Sequence, residues 1–334
     1  MSGLDELDID GLFGAVAGAS KLGLAVSGGP DSLALMLLAA DWARAPGRPE
    51  LVVYSVDHGL RPEAPGEVAM VLREASARGL AARALRWEGE KPSTGIQAAA
   101  RSARYRLMAE AMRADGADIL LTAHHREDQA ETVLMRLAHG SGIEGLKGML
   151  PMTVIEGVTV ARPLLGTARE TLRAVVAAAG LAAADDPSNA DDHYERVRWR
   201  QLMPDLEAMG LDAERLGRFA ERMADADDAL AQMAASLIAK WAERNEGLAT
   251  LPRAQLMAAP KAVAVKALGR LLSEVGGAGK GRDLGRIEEL YLRLAATERA
   301  RASTLHGCVV ESDGITVSVR REGARRAGQL LTAD

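Results

Sequence analysis

A chain of 334 residues, 48% hydrophobic and 26% charged, is long and apolar enough for about two globular domains, which excludes a disordered polymer. Aromatic residues make up only 3%, so the core must be built from Ala, Leu, Val and Met, and stacking platforms for nucleic-acid bases are scarce. The net charge of −5 hides an asymmetry: from Leu251 onward fourteen Lys and Arg face nine acids, a local +5 that leaves −10 on the first 250 residues. A basic end on an acidic body suits either a held polyanion or a solvated helical surface.

At the N-terminus, Asp5, Glu6, Asp8 and Asp10 stand where a secretory signal would be basic. No charge-free apolar run approaches about 20 residues, so a soluble, cytoplasmic protein is expected, with no membrane partner. Leu22–Val26 is a short apolar run ending in a glycine-rich turn, followed by a helical run over Ser32–Arg44. Leu51–Val56 predicts a second strand, Glu63 to Arg78 a helix, and Leu80–Trp87 a weaker strand. Ile96–Asp115 is amphipathic, with Ile96, Ala100, Ala103, Leu107 and Ala111 at helical spacing. Asp118–Ala123 predicts a strand and Glu127–Leu137 a helix. The alternation predicts an α/β fold, a parallel sheet with helices on both faces, whose ligands bind at the carboxyl ends of the strands. Three polar clusters fall at such ends, after Val26, after Val56 and after Ala123.

Beyond Pro163 the pattern reads as a helix over Thr167–Ala179, a polar loop over Asp185–Asn189 and the arginine-rich run Arg196–Arg200. From Leu211 to Ala296 it is almost wholly helical, with breaks near Glu246–Leu251 and Gly276–Gly281. Thr304–Val310 and Ile315–Arg320, joined through Ser312-Asp313-Gly314, predict a terminal β-hairpin. The boundary is placed near Gly210, giving an α/β domain over 1–210 and a mainly helical domain over 211–334. The single cysteine, Cys308, lies in the hairpin and reads as a core residue; alone it excludes a disulfide framework within the chain and any multi-cysteine metal site.

The sharpest motif is Ser27-Gly28-Gly29-Pro30-Asp31-Ser32, between a strand and a helix. Small residues at a helix N-terminus free backbone amides for an anion, and Ser27 and Ser32 add hydroxyl donors. No Gly-Lys-Ser/Thr follows, so it is not a Walker loop. The Asp31 carboxylate would repel a phosphate unless a divalent cation stood between them, which implies Mg²⁺; a plain glycine turn with an acid at a helix start is the other reading. His124, Asp128 and Glu131 are spaced i, i+4, i+7 on one expected helix face, where an imidazole can contact phosphates and paired carboxylates can grip a cation. A zinc site, a solvated face or a capped helix start would use the same residue types, although no His-Glu-x-x-His is present. Arg101 and Arg104, at i, i+3, could stabilise charge developing on a phosphate or simply be solvated. Asp57-His58 after the second strand marks a nucleotide edge or an ordinary turn.

The hexapeptide resembles the pyrophosphate-loop signature of the N-type ATP pyrophosphatases. Val56-Asp57-His58-Gly59-Leu60-Arg61, Ala100-Arg101 with Arg104-Tyr105, and Thr122–Thr132 are similar to the tRNA(Ile)-lysidine synthetase family within that superfamily. So are Gly140-Ser141-Gly142 with Gly145-Leu146, Arg162-Pro163-Leu164-Leu165, and Asp186-Pro187-Ser188-Asn189. The resemblance runs in order from about Gly23 to Pro204; longer members carry a further C-terminal domain that this chain would lack. It implies an adenine nucleotide alpha hydrolase-like fold and a ligase that joins free L-lysine to the wobble cytidine of a CAU-anticodon tRNA(Ile). It implies ATP, with Mg²⁺ on Asp31, bound by Ser27, Gly28, Gly29, Pro30, Asp31 and Ser32, with backbone near Val56, Asp57 and His58 on adenine and His124 at the phosphates. The catalytic set implied is Asp31, Arg101, Arg104, Asp128 and Glu131, the last two holding the lysine. Arg61 would face phosphate or tRNA, and Arg196, Arg198 and Arg200 would clamp tRNA phosphates. A tRNA thiolase needs cysteines that the chain lacks, GMP and NAD synthetases lack the Thr122–Thr132 run, and a non-catalytic tRNA-binding relative would have no need of intact Asp31, Asp128 and Glu131.

Overall fold

The computed structural model describes residues 7–184, 195–277 and 284–323, so the loop expected over Asp185–Asn189 lies outside the described residues. Its contacts divide the chain into two units, one formed by 1–139 with 147–220 and the other by 140–146 with 221–334.

The first unit opens with the short helix α1 (Ile9–Phe13) and continues as β1 (Lys21–Ala25), α2 (Pro30–Ala43), β2 (Glu50–Asp57), α3 (Ala64–Ser76), β3 (Ala81–Arg86), α4 (Ile96–Asp115), β4 (Ile119–Leu121) and α5 (Arg126–Ala138). After α6 (Ile143–Leu146) of the second unit, it resumes with β5 (Met152–Ile155), β6 (Val158–Ala161), α7 (Arg169–Ala178) and α8 (Glu195–Ala208), and takes in the start of α9 (Ala213–Trp241). The sheet order is β3-β2-β1-β4-β6-β5. Strand order reverses at β1: β2 and β3 lie on one side and β4 and β6 on the other, all parallel. That reversal sets the carboxyl ends of β1 and β4 side by side, the place where open α/β sheets bind ligands.

Period-2 alternation splits the strands between two cores. Leu22, Leu24, Leu51, Val53, Leu121 and Ala161 pack with Leu33–Ala39 of α2, Val71 and Ala75 of α3, and Leu172, Val175 and Val176 of α7. Val52, Tyr54, Leu120, Val158 and Val160 face α4 through Tyr105, Met108 and Met112. Helices therefore cover both faces, as expected. The sheet is mostly rather than wholly parallel, because β5 runs antiparallel to β6. The sequence predicts no strand here: two four-residue runs are joined by Glu156-Gly157, both at positive φ, a tight turn that a Glu at its first central position disguises.

The second unit, described by itself, is α6, most of α9, β7 (Glu243–Asn245), β8 (Leu248–Pro252), α10 (Arg253–Ala258), α11 (Lys261–Gly276), α12 (Leu284–Ala296), β9 (Arg299–Leu305), β10 (Cys308–Asp313) and β11 (Thr316–Arg321). The expected hairpin is present as β10–β11, inside a five-stranded antiparallel sheet ordered β7-β8-β11-β10-β9. Thr304–Val310 is not one strand: His306-Gly307, at φ 52° and 72°, turn the chain between β9 and β10. The break expected near Glu246–Leu251 is instead a β-hairpin. Cys308 is fully buried among Leu268, Leu272, Val310 and Val319. Among the described residues, no helix is long and apolar enough to cross a membrane.

Candidate active site

Directly after β1, Gly28 takes φ 93°, a region closed to most side chains, and a Cβ there would stand 3.2 Å from Met70 Cε. Gly29 caps α2 without a side-chain hydrogen bond and Pro30 occupies its first turn, so the freed amides of that turn are left for an anion. Ser32 is used inside the loop rather than offered outward. Its hydroxyl donates to Gly29 O (2.9 Å), accepts from Ser27 N (3.1 Å) and lies 3.2 Å from Ser27 Oγ.

Asp31 projects from the first turn of α2. Its Oδ2 lies 3.5 Å from His125 Nε2, while its Oδ1 is buried with no hydrogen-bond partner. Burial works against the charge, but His125, Arg169 and Arg173 more than compensate and hold the carboxyl below its usual range. An ionised carboxylate with one buried oxygen unused fits a cation. Among the described residues no three His, Cys, Asp or Glu side chains form a metal cage. Mg²⁺ is commonly held by one or two carboxylates with phosphates and water completing its shell, so Asp31 with bound phosphates would be enough to hold it.

The second motif differs from its sequence reading at one point. The helix α5 begins at Arg126 with His125 as N-cap, so His124 precedes it and does not share a helix face with Asp128 and Glu131. Asp128 Oδ2 instead reaches back to the His125 amide (3.2 Å), as an acid at the third helical position does. Two adjacent histidines then acquire opposite characters. His124 pairs through Nδ1 with Thr122 Oγ1 (2.9 Å); burial and the field of Arg162, Arg196 and Arg101 push it down to about 4, against the pull of Asp128. His125 is 2% exposed. Burial disfavours its charge, yet Asp31, Glu127 (2.9 Å from Nδ1) and Asp128 (3.4 Å from Nε2) raise it to about 9. His125 was not among the expected site residues; a strand-end His three residues before an Asp was the signal available.

Glu131 is 1% exposed. Arg200 grips it with two bonds (Nε–Oε1 2.8 Å, Nη2–Oε2 3.2 Å), and Arg196 Nε stands 3.1 Å from Oε2. Arg196 also donates to Thr132 Oγ1 (3.0 Å), and Arg200 lies 3.9 Å from Asp128. Arg196 and Arg200 of the expected tRNA clamp thus face carboxylates, whereas Arg198 is exposed. Gln129 has a scaffolding role, exchanging two hydrogen bonds with the Met149 backbone.

At the end of β2, Asp57 Oδ1 accepts from Gly59 N (2.7 Å), which closes the turn carrying His58. Burial and Arg104 lower the pKa of His58, whose ring meets Trp87 edge to face. Val56 borders the core of the α4 face, and Arg61 pairs with Glu67 (2.9 Å). Arg101 and Arg104 lie one turn apart on α4, over the Tyr105 ring at 5.1 and 5.7 Å. Among the described residues neither has a carboxylate at ion-pair distance, and Arg104 is lowered chiefly by burial.

A phosphate-binding turn and an acid at the switch point of a parallel sheet define a nucleotide-binding α/β protein, and residues 5–206 match the family model of the PP-loop domain. The fold is similar to that of a U34-tRNA thiolase from Methanococcus maripaludis, with a TM-score of 0.55 at 15% identity over 64% of this chain and 76% of that one. Sequence relatives are nearer. A tRNA(Ile)-lysidine synthase of Rhodopseudomonas palustris is 47% identical over 94% of this chain and 95% of its own length. One from Bradyrhizobium sp. is 46% identical over 88% and 85%, and one from Methylobacterium nodulans 45% over 91% of each. The chain belongs to the tRNA(Ile)-lysidine synthase family.

Proposed function

We propose that the chain ligates free L-lysine to C2 of the wobble cytidine of a CAU-anticodon tRNA(Ile), forming lysidine and changing the codon read from AUG to AUA. The cytidine O2 attacks the α-phosphorus of ATP and expels pyrophosphate. The lysine ε-amine then attacks the activated C2, and the C2–O bond breaks to release AMP. Adenylation is needed because oxygen on C2 is otherwise a poor leaving group.

The observation that carries this reading is the meeting of Asp31 with His125 and Asp128 at the switch point, which sets a phosphate loop against carboxylates able to hold an ammonium. Amides of Gly28, Gly29 and the first turn of α2 would bind the phosphates, and the edge around Val56, Asp57 and His58 the adenosine. His124, neutral at pH 7, would donate to or accept from the phosphates without adding charge. Arg101 and Arg104, which have no carboxylate at ion-pair distance among the described residues, would face the α-phosphate. Mg²⁺, held by Asp31, would screen phosphate charge. Asp128 and Glu131 would bind the lysine ammonium, which requires Glu131 to exchange an arginine for it. The part over 211–334 would grip tRNA, with affinity falling as salt rises. A cytoplasmic location follows from such a substrate.

A thiolase reading fails on chemistry. The solved thiolase carries a [4Fe-4S] cluster, and here the single sulfur nucleophile, Cys308, is buried in the second unit. The test is incubation with labelled lysine, ATP and either tRNA(Ile) or tRNA(Met), followed by nucleoside digestion. Lysine attached to cytidine of tRNA(Ile) alone, with AMP released, is expected. Release of ADP, or transfer of sulfur, would overturn the assignment. Asp31→Ala should abolish incorporation.

A further inference from the structure

One motif of the first unit has no part in the scheme above. Arg162 follows β6 and its residue surface is only 5% exposed. Its backbone is fixed by a bond from its amide to Pro151 O (2.8 Å). Of its guanidinium, Nη1 donates to Leu150 O (2.7 Å), while Nε is buried without an acceptor. Among the described residues no carboxylate lies at ion-pair distance from it. Burial and the positive charges of Arg101 and Arg136 depress it, although Tyr105 works the other way, and it in turn depresses His124. A buried cation crowded by other cations is costly unless something anionic arrives to pair with it. Asp31, Glu127 and Asp128 gather around His125, whereas the charged side chains acting on Arg162 are the guanidinium groups of Arg101 and Arg136.

We propose that Arg162 is the floor of a phosphate subsite at the carboxyl ends of β4 and β6, where it and Arg101 receive a phosphate oxyanion of the reacting complex. This rests on the ligation reading above. The phosphate with most to gain is that of departing AMP. As lysine attacks C2 and the C2–O bond breaks, the electron pair stays on the AMP oxygen, so the phosphate gains one negative charge in that step. A guanidinium already stripped of water stabilises such a change without reorganising. A phosphate beside the wobble cytidine offers the same chemistry, and the two sources are separable.

The test measures binding of two probes, AMP and a tRNA(Ile) anticodon stem-loop RNA, to the full chain and to Arg162→Gln and Arg162→Lys, with thermal midpoints recorded for each. Gln keeps an amide donor on a shorter side chain and loses the charge; Lys keeps the charge and loses the planar fork. Roughly tenfold weaker AMP binding by folded Arg162→Gln, with Lys in between, supports the AMP source. The same loss on RNA, with the salt slope reduced by about one phosphate contact, assigns the backbone source. Unchanged binding of both probes by folded Arg162→Gln overturns the subsite. If the Gln variant does not fold, wild-type affinity for both probes in Arg162→Lys overturns it equally. Lysine incorporation by the wild-type chain, measured separately, decides the ligation reading.

Discussion

Neighbouring histidines with opposite protonation make the site pH-sensitive in two directions. His125, raised from 6.5 to about 9, stabilises the fold fully below pH 6.5, and that contribution is lost as pH climbs through 9. His124, lowered from 6.5 to about 4, contributes above pH 6.5 and loses it as pH falls toward 4. The stability of the first unit should therefore decline on both sides of about pH 6.5. His125→Asn should flatten the alkaline limb, worth on the order of 2–3 kcal/mol, and His124→Asn the acid limb, both read from urea midpoints across pH. At Glu131, Gln substitution leaves two guanidinium groups facing a neutral amide in a nearly dry place. We expect a loss of about 2 kcal/mol of stability, less than for a fully buried pair because both arginines keep some solvent contact. Lysine incorporation should fall with it. No local pattern tells that Arg196 and Arg200 turn toward a carboxylate some 65 residues upstream. A basic run looks the same whether its partner is an RNA phosphate or another helix of the same chain.

Elements legible in the sequence were those whose periodicity exceeds one turn or lies beside an unmistakable loop. The helix over Ile96–Asp115 has the bounds its spacing predicts, and β1, β2, α2 and α5 fall within a residue or two of expectation. Elements that escaped include short strands whose turns lack an Asn-Gly or Asp-Gly signal, β5–β6 through Glu156 and β9–β10 through His306, and the helix α8, which reads in the sequence only as an arginine-rich run. Backbone demands on single glycines are sharper than either reading, and two substitutions test them. Gly28→Ala combines positive φ with contact to Met70 and Val71 and should cost about 1–3 kcal/mol together with much of the affinity for ATP, as calorimetry and nucleotide titration would show. Gly276→Ala places a Cβ 2.4 Å from His306 O and 2.9 Å from Cys308 Sγ. It should lower the stability of the second unit by about 1–3 kcal/mol through overpacking and leave ATP binding intact. Cys308 itself, buried and with its thiol pushed up by desolvation, should react with thiol reagents only on unfolding.

Two units with separate cores give the whole molecule two handles. The first builds two cores on the faces of one sheet and a third between α5, α8 and the start of α9; the second packs α11 and α12 on the apolar face of another sheet, with Leu268 and Leu272 fully buried. Nucleotide binding, proposed for the first unit, stabilises only what binds it. Leu268→Ala removes a buried side chain from the second core and should cost about 2–5 kcal/mol there. In calorimetry a non-hydrolysable ATP analogue should raise the transition of the first unit in wild type and variant alike. The transition of the second unit should fall in the variant and ignore the nucleotide. If the basic C-terminal part grips tRNA, the same variant near its melting point should lose tRNA affinity while binding the ATP analogue as wild type does. Equal loss of both ligands would mean that the two cores melt as one, and the separation of nucleotide and tRNA work between them would have to be abandoned.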